Sequence, residues 1–272
     1  LIGDHKQLPA VVLQPSEQSR VCDAALHEIG LYNLKDSLFE RLYRNVTLQN
    51  ISGVGSSPTQ GVAQATCRSY DMLCRQGRMN IEVASFPNRA FYGGVLESVG
   101  LPHQAGELSL SPQLAENEFA DLLVRLVAFL PSVAEPFAQS VKNNHSEARI
   151  AARLAKAVYQ QYASCADFSP SHTLGIITPY RSQIALIKKE IAALKIAALD
   201  DILIDTVERF QGSERDVIIY SFCVNRAYQL RFLANITEEA GVRIDRKLNV
   251  ALTRARKHMF MIGVPHLLKL NP

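Results

Sequence analysis

The sequence predicts an α/β fold in which a parallel sheet is covered on both faces by helices. From residue 145 onward, short apolar segments alternate with amphipathic segments of helical periodicity. Such apolar runs are typical of strands that are buried on both faces and joined by crossover helices. The length of 272 residues allows roughly two domains.

The strands of this sheet are predicted from apolar runs, and the helices from apolar positions three or four residues apart. The predicted strands are 174–178, 202–206, 216–223 and 258–263, with 124–130 as a candidate whose spacing also suits a helix. The predicted helices are 146–162, capped by Ser146, then 181–194 and 246–254, and a short helix that begins at Pro265.

The first part of the chain is less regular. Residues 1–4 resemble the end of a buried strand that enters a loop. Residues 20–43 have a helical pattern, with Asp36 and Ser37 as a cap before an apolar face. Residues 51–61 are rich in Gly and Ser, which predicts a loop or a flexible insertion, and 69–92 are predicted to be helical.

Composition excludes several classes of protein. No apolar run approaches the roughly 20 residues that cross a bilayer, and no secretory leader is visible. The cysteines are scattered and include no C-x-x-C pair, which favours reduced thiols in a cytoplasmic compartment over zinc or disulfides. They are Cys22, Cys67, Cys74, Cys165 and Cys223.

Charge is concentrated at the C-terminal end. The net charge is +3, but residues 241–272 carry +6 and the rest of the chain −3. A solvated helix face explains this cluster as well as an anionic ligand does.

The chain lacks the motifs that hold nucleotide phosphates. None of the 14 glycines is followed by Lys, so G-x-x-x-x-G-K-[ST] is absent. No Asp is followed by Glu, so a magnesium-binding D-E strand end is absent too. Taken alone, the chain has no visible means of holding a nucleotide with its Mg²⁺.

Four loop segments nevertheless combine Gly, Gln, Glu and Arg next to predicted strands. They are 3–9 (GDHKQLP), 76–80 (QGRMN), 205–214 (DTVERFQGSE) and 248–256 (LNVALTRAR). Arg offers a permanent planar fork for phosphate oxygens, whereas Gln both donates and accepts. Each segment alone is a weak signal, since a single Arg is most often a solvated or ion-paired surface residue.

In order and spacing, these segments resemble the second half of a superfamily 1 helicase of the Upf1-like group, the 5′-to-3′ subclass B. The motif GDxxQLxP corresponds to residues 3–9, SLFERL to 37–42 and QYRM to 76–79. The match continues through Phe86-Pro87-Asn88, Asn144, Glu147-Ala148, 177–180 (ITPY), 210–216 (FQGSERD) and 246–256.

The resemblance implies a RecA-like, P-loop NTPase-type domain. Residues 1–70 would be the C-terminal remnant of a first RecA-like domain plus an insertion, and 71–272 the second RecA-like domain. The P-loop and the D-E strand would precede this chain in the full protein. ATP would bind between the two domains, with ATP and Mg²⁺ held mainly by the missing one, and this fragment alone should be inactive.

The resemblance also implies catalytic residues. Gln7 would sense the γ-phosphate and link hydrolysis to strand contact. Arg78 and Arg254 would reach the γ-phosphate, where negative charge builds up in phosphoryl transfer.

Nucleotide contacts follow from the same motifs. Glu214 matches the residue that hydrogen-bonds the ribose, and Gln211 and Gly212 would shape the loop that touches nucleotide and strand. Gln76 and Asp4 are further predicted nucleotide contacts.

Two positions leave alternatives open. Arg256 is either a functional arginine or half of a structural ion pair, for example with Asp245. Gly77 replaces the tyrosine that lies against adenine in the family, and a glycine cannot stack. This replacement predicts either weak discrimination between ATP and GTP or another aromatic residue in that role.

Nucleic-acid contacts are predicted at Thr178, Tyr180 and Thr206, because loops at strand ends gather the ligands of α/β sheets. Their hydroxyls would hydrogen-bond phosphates of a single strand without sequence specificity. We favour DNA over RNA as the nucleic acid. Tyr180 is equally well explained as an ordinary core or surface residue.

The leading hypothesis is therefore the C-terminal motor half of an ATP-dependent helicase. A non-catalytic nucleic-acid-binding or regulatory module derived from a helicase is the alternative, and a nuclease fused to the same motor is a third possibility.

Overall fold

The computed structural model of the chain describes residues 2–9, 14–15, 17–52, 71–106, 109–137, 140–164, 167–239 and 241–270. The chain divides into two compact units, Leu1–Leu73 and Cys74–Pro272. The assignment of 1–70 and 71–272 to two motor domains stays a prediction.

The first unit contains two helices, α1 (Ala24–Glu28) and α2 (Leu38–Ser52). The single helix predicted for 20–43 is therefore interrupted, because Gly30 takes a left-handed φ of +77° just after α1. Ser37 Oγ accepts a bond from Glu40 N (3.1 Å) while Glu40 Oε2 accepts one from Ser37 N (3.0 Å), so this capping box starts α2 anew.

Two other predictions for this unit fare differently. Residues 2–4 are not a strand, so the predicted strand end is wrong for the residues described. In the predicted loop 51–61, α2 continues through Ser52, and 53–61 lie outside the described residues.

The second unit is built on a five-stranded parallel sheet, as predicted. Its strands are β3 (Val127–Pro131), β4 (Leu174–Ile177), β5 (Leu203–Asp205), β6 (Arg215–Ser221) and β9 (Ala255–Gly263). Their order across the sheet is β3-β9-β6-β4-β5, and every neighbouring pair is parallel. Since the connections are crossovers, the carboxyl ends of all five strands lie at one edge.

Helices cover both faces of this sheet. Their bounds are α3 (Ile81–Phe91), α4 (Pro102–Ala105), α5 (Ala120–Leu123), α6 (His145–Ala163), α7 (Arg181–Ala192), α8 (Val207–Phe210), α9 (Leu230–Leu233), α10 (Arg246–Leu252) and α11 (Pro265–Leu268). Helix α6 contacts β4, β6 and β9, whereas α3 and α10 contact β9. Ile218 and Ile219 are both fully buried although consecutive strand residues point to opposite faces, so both faces are covered.

Small differences from prediction have local causes. Asn144, not Ser146, caps α6, since Asn144 Oδ1 accepts from Glu147 N at 2.8 Å. The helix predicted over 69–92 is shorter because Arg75–Gln76 forms the two-residue strand β1, which pairs with β2 (Glu97–Ser98).

The structure also contains an antiparallel hairpin that was not predicted. It consists of β7 (Ile236–Glu239) and β8 (Val242–Asp245), and Gly241 in its turn has a φ of +78°.

Candidate functional site

The predicted site residues of the second unit lie at two opposite edges of the sheet. The 211–214 loop precedes β6, and Thr253 and Arg254 precede β9, so both lie at the amino edge. Thr178 follows β4 and Thr206 follows β5, so both lie at the carboxyl edge. The residues of this unit predicted to contact the nucleotide thus lie at the amino edge, and those predicted to contact nucleic acid lie at the carboxyl edge.

At the amino edge, the Gln76 side chain holds a tight turn. Its Oε1 accepts from Arg78 N (3.0 Å) and Met79 N (2.8 Å), and its Nε2 donates to Met79 O (2.9 Å). We predicted Gln76 as a nucleotide contact, but its amide is engaged within the turn. Its observed role is to fix the backbone that carries Arg78.

Two residues that sequence reasoning missed support this turn from α4. Gln104 Nε2 donates to Gln76 O (2.8 Å) and Met79 O (3.2 Å), and His103 Nε2 lies 2.9 Å from Arg78 O. No sequence signal identified them, because 100–118 reads only as a loop.

The side chain of Arg78 then joins two of the predicted motifs. Its Nε lies 2.7 Å from Glu214 Oε2, and its Nη1 donates to Thr253 O at 3.2 Å. Arg256 Nε lies 3.7 Å from the other oxygen of Glu214. The hydrogen bond from Arg78 holds the pKa of Glu214 below its usual value.

Arg254 lies in the same cluster but is buried. The residue is 2% exposed, with Nε donating to Val250 O (3.0 Å), Nη1 to Ser213 O (3.3 Å) and Nη2 to Thr253 Oγ1 (3.2 Å). We expected this guanidinium to project from the surface toward a phosphate, and it does not. Instead it ties the end of α10 to the 211–214 loop.

Arg256 forms the structural ion pair that we left open, but with another partner. Its Nη1 lies 3.2 Å from Asp216 Oδ1, and Lys257 Nζ lies 2.9 Å from Asp216 Oδ2. Asp245, the suggested partner, caps α10 by accepting from Lys247 N at 3.1 Å.

The loop between α8 and β6 needs its glycine. Gly212 has a φ of +83°, a conformation that L side chains rarely adopt. Gln211 and Gly212 are exposed, and Ser213 Oγ closes the loop by donating to Phe210 O at 2.8 Å. The loop therefore presents its backbone at the amino edge.

In the first unit, Asp4 and Gln7 form a turn. Gln7 Nε2 donates to Asp4 Oδ2 (2.8 Å), and Lys6 N donates to Asp4 Oδ1 (3.0 Å). Gly3 is required by a close approach, because a Cβ there would lie 2.8 Å from the Phe39 ring.

At the carboxyl edge, the three predicted strand contacts differ in accessibility. Thr178 is fully buried, and among the described residues its Oγ1 has no hydrogen-bond partner, so it does not present a hydroxyl to a strand here. Tyr180 is half-buried; its hydroxyl accepts from Gln229 Nε2 at 3.2 Å, and burial raises its pKa. Thr206 is half-buried at the start of α8.

A buried carboxylate below this edge links two strand ends. Glu147 accepts from Ser221 Oγ (2.7 Å), Cys223 N (2.9 Å) and Ser132 Oγ (3.3 Å). Burial raises the pKa of Glu147 to about 7. The sequence marked Glu147 only as part of a family motif, without a role.

Asn225 connects the loops that follow β3 and β6, and it was missed. Its Nδ2 donates to Val141 O (3.0 Å) and Asn143 O (2.8 Å). Its Oδ1 accepts from Glu135 N (3.0 Å) and Asn144 Nδ2 (2.9 Å). The amide thus satisfies four partners, which fixes both loops.

The described residues offer neither a metal cluster nor a membrane span. Within those ranges, no group of three or more His, Cys, Asp or Glu residues is placed to hold a metal ion. No helix in the same ranges is long and apolar enough to traverse a bilayer.

Comparisons with known proteins give the family. A family model described as an AAA domain matches residues 34–266. The chain is 31% identical over 275 residues to a probable helicase of Dictyostelium discoideum, covering 100% of this chain and 22% of that protein. It is 30% identical over 284 residues to the DNA replication ATP-dependent helicase/nuclease DNA2 of Xenopus laevis, covering 97% and 22%.

A third relative is the DNA polymerase alpha-associated DNA helicase A of Saccharomyces cerevisiae, 26% identical over 275 residues, covering 97% of this chain and 33% of that protein. The chain thus spans about a fifth to a third of the length of these relatives. With most of its length inside the family match and the helicase motifs in their family order, the chain belongs to the AAA domain family and to the superfamily 1 helicases of the Upf1-like group.

Proposed function

We propose that the chain is the C-terminal motor half of an ATP-dependent helicase that moves on single-stranded nucleic acid, DNA rather than RNA. One observation carries the proposal. Arg78, Glu214 and Arg254 come from three distant motifs, yet hydrogen bonds to one another's segments bring them together at the amino edge of the sheet.

In this proposal Arg78 is the group that reaches the transferred phosphoryl group. About a third of its side chain is exposed, and its backbone is fixed by Gln76 and His103, so its position is preorganised. A fixed guanidinium is suited to the charge that develops on phosphate oxygens.

Because its guanidinium is buried, Arg254 acts by positioning Arg78. Its guanidinium bonds the Thr253 hydroxyl, while Thr253 O accepts from Arg78. Glu214 is ion-paired with Arg78. A nucleotide that bonds one of these two side chains must therefore compete with the other side chain for it. Glu214 then turns to the ribose, as the family resemblance implies.

ATP and Mg²⁺ require the domain that precedes this chain. The chain has no P-loop, and its described residues hold no metal cluster, so we assign both ligands mainly to the first motor domain in cis. In this assignment Gln7 and Asp4 lie near the C-terminal end of the first motor domain. We also expect that the isolated chain hydrolyses no ATP.

The test uses Arg78→Ala in the full-length protein. Loss of an arginine that stabilises the transition state lowers kcat for ATP by about 10³-fold or more. The affinity for single-stranded DNA stays the same, because the nucleic acid binds at the other edge. ATP turnover is measured with single-stranded DNA and single-stranded RNA as separate stimulants, and DNA stimulates more.

Arg89→Ala on α3 is the matched control, since Arg89 is exposed and its Nε donates to Ser85 O of the same helix at 3.4 Å. It should turn over ATP at the wild-type rate. Near-normal turnover by Arg78→Ala contradicts the assignment of Arg78, and a wild-type protein without any strand-stimulated turnover contradicts the motor itself.

A further inference from the structure

From the carboxyl edge of the sheet, we infer that Phe137 is a stacking platform for a base of a bound single strand, flanked by Lys142, Arg181 and Arg226, which hold its phosphates. We call these four residues the carboxyl-edge platform. The inference rests on the proposed function, because it names the contacts of the strand that the motor would hold.

The first observation is the exposure of Phe137. The residue is 96% exposed, although it follows a strand of the central sheet by only six positions. A ring this exposed forgoes the stabilisation that burial gives a large apolar side chain. A ring held in this position is available to a partner.

The second observation is that described residues on both sides of the ring, Glu135 and Pro136 before it and Val141 and Asn143 after it, are anchored by hydrogen bonds. Arg226 Nη2 donates to Pro136 O at 2.7 Å, next to Phe137. Asn225 bonds the same loop at three points, Glu135 N, Val141 O and Asn143 O. Because the backbone next to the ring is already anchored, less of the chain has to be ordered when a base stacks on Phe137.

The third observation is charge. Lys142, Arg181 and Arg226 are exposed, and Ser182 Oγ donates to Lys142 O at 3.1 Å, so the start of α7 lies beside the loop. The acid of this loop, Glu135, accepts from the backbone N of His145 (3.1 Å) and of Ser146 (2.9 Å). Three exposed cations are thus available to phosphates, whereas the carboxylate of Glu135 is engaged with the start of α6.

The fourth observation is a cavity beside the ring. Its volume is about 630 Å³, and it is lined by Ala134, Glu135, Pro136, Phe137, Ser140, Asn143 and His145. Asn143 Oδ1 is buried and has no hydrogen-bond partner among the residues that the structure describes. Space next to an aromatic ring, together with a spare acceptor for an amino group, fits a nucleobase.

Together these features favour a single strand over a protein or a membrane. An exposed ring with exposed cations on neighbouring segments provides stacking and phosphate contacts, the two parts of sequence-tolerant strand binding. A protein partner or a bilayer surface would call for a contiguous apolar patch instead.

The experiment compares two strands of about 16 nucleotides, one of ordinary DNA and one with abasic sites throughout its centre. In the full-length protein, Phe137→Ala weakens binding to the ordinary strand by between about 5-fold and 150-fold, which corresponds to about 1–3 kcal/mol per stacked base. It leaves the affinity for the abasic strand unchanged, and Phe137→Tyr restores binding to the ordinary strand.

Arg226→Ala weakens binding to both strands. It also lowers the slope of log affinity against log salt concentration by about one, as expected for the loss of one phosphate contact. Phe86→Ala is the control, because Phe86 is also an exposed phenylalanine (49%) but lies on α3, which follows the turn of Gln76 and Arg78 at the amino edge. This variant should bind both strands as tightly as the wild type does.

Equal binding by Phe137→Ala and the wild type overturns the platform alone, provided that DNA still stimulates ATP turnover. An equal loss on both strands also overturns it, because the ring would then not stack on bases. A wild-type protein that binds neither strand and turns over no ATP overturns the motor and the platform together.

Discussion

At the residue scale, Gly77 shows how one missing side chain bears on nucleotide choice. The residue is exposed, and a Cβ placed on it would lie 3.5 Å from both Val99 and Leu101, an ordinary contact distance. The backbone therefore does not require glycine here, unlike at Gly212. An absent tyrosine, rather than a strained turn, distinguishes this chain from the family pattern.

We predict that Gly77→Tyr in the full-length protein increases the preference for ATP over GTP. A ring added beside Arg78 can stack on adenine, and such contacts are worth about 1–3 kcal/mol per base. Side-by-side measurement of kcat/KM for ATP and GTP checks this, with Gly77→Ala as the control that adds no ring. A strong ATP preference already present in the wild type contradicts the premise that stacking is lost.

The family motifs singled out Arg78 and Glu214 as separate site residues, and their roles stay predictions; the structure places the two side chains 2.7 Å apart. Sequence reasoning could not identify Gln104 or Asn225, because a buried amide that bonds backbone groups has no sequence pattern. It also could not foresee that Arg254 is buried, since burial depends on how α10 packs against the 211–214 loop.

At the element scale, the strands were predictable and the shortest elements were not. Strand β4 and the later parts of β6 and β9 are apolar runs, which is typical of strands buried on both faces. Strands β1 and β2 have two residues each, and they exist only because they pair with each other. The hairpin of β7 and β8 has strands of only four residues that mix polar and apolar side chains, too short for a clear periodicity, so Gly241 at its turn was the main local signal.

Gly175 in β4 makes a prediction about stability. A Cβ at this position would lie 2.7 Å from Cε1 of Phe210, which is fully buried above the strand. We predict that Gly175→Ala lowers the free energy of unfolding by about 1–3 kcal/mol, the usual cost of overpacking. Urea denaturation measures it, and Gly77→Ala, whose Cβ would make only ordinary contacts at 3.5 Å with Val99 and Leu101, should change stability by less than about 0.5 kcal/mol. Equal stability of the two variants contradicts this account.

At the scale of the whole molecule, two buried groups give stability opposite dependences on pH. Burial raises the pKa of Glu147 from 4.5 to about 7, so its contribution is present below about pH 4.5 and is lost as the pH rises through about 7. Burial lowers the pKa of His258 from 6.5 to about 4, so its contribution grows over the range from about pH 4 to 6.5.

We predict that Glu147→Gln removes the pH dependence of stability that comes from Glu147 and leaves the dependence that comes from His258. Between pH 4.5 and 7 the stability of this variant relative to the wild type should rise by on the order of 3 kcal/mol, since the wild type alone loses the Glu147 contribution. Urea denaturation at several pH values checks this, with the exposed Glu116→Gln as control. A difference between Glu147→Gln and the wild type that is constant with pH contradicts it.

The two edges of the sheet also have a mechanical relation. Strand β6 begins beside Glu214 and ends beside the loop that carries Asn225 and Arg226. Its seven residues span about 23 Å, and other strands flank it on both sides. Strand β6 is therefore a direct covalent connection, inside the sheet, between the 211–214 loop at one edge and the loop of Asn225 and Arg226 at the other.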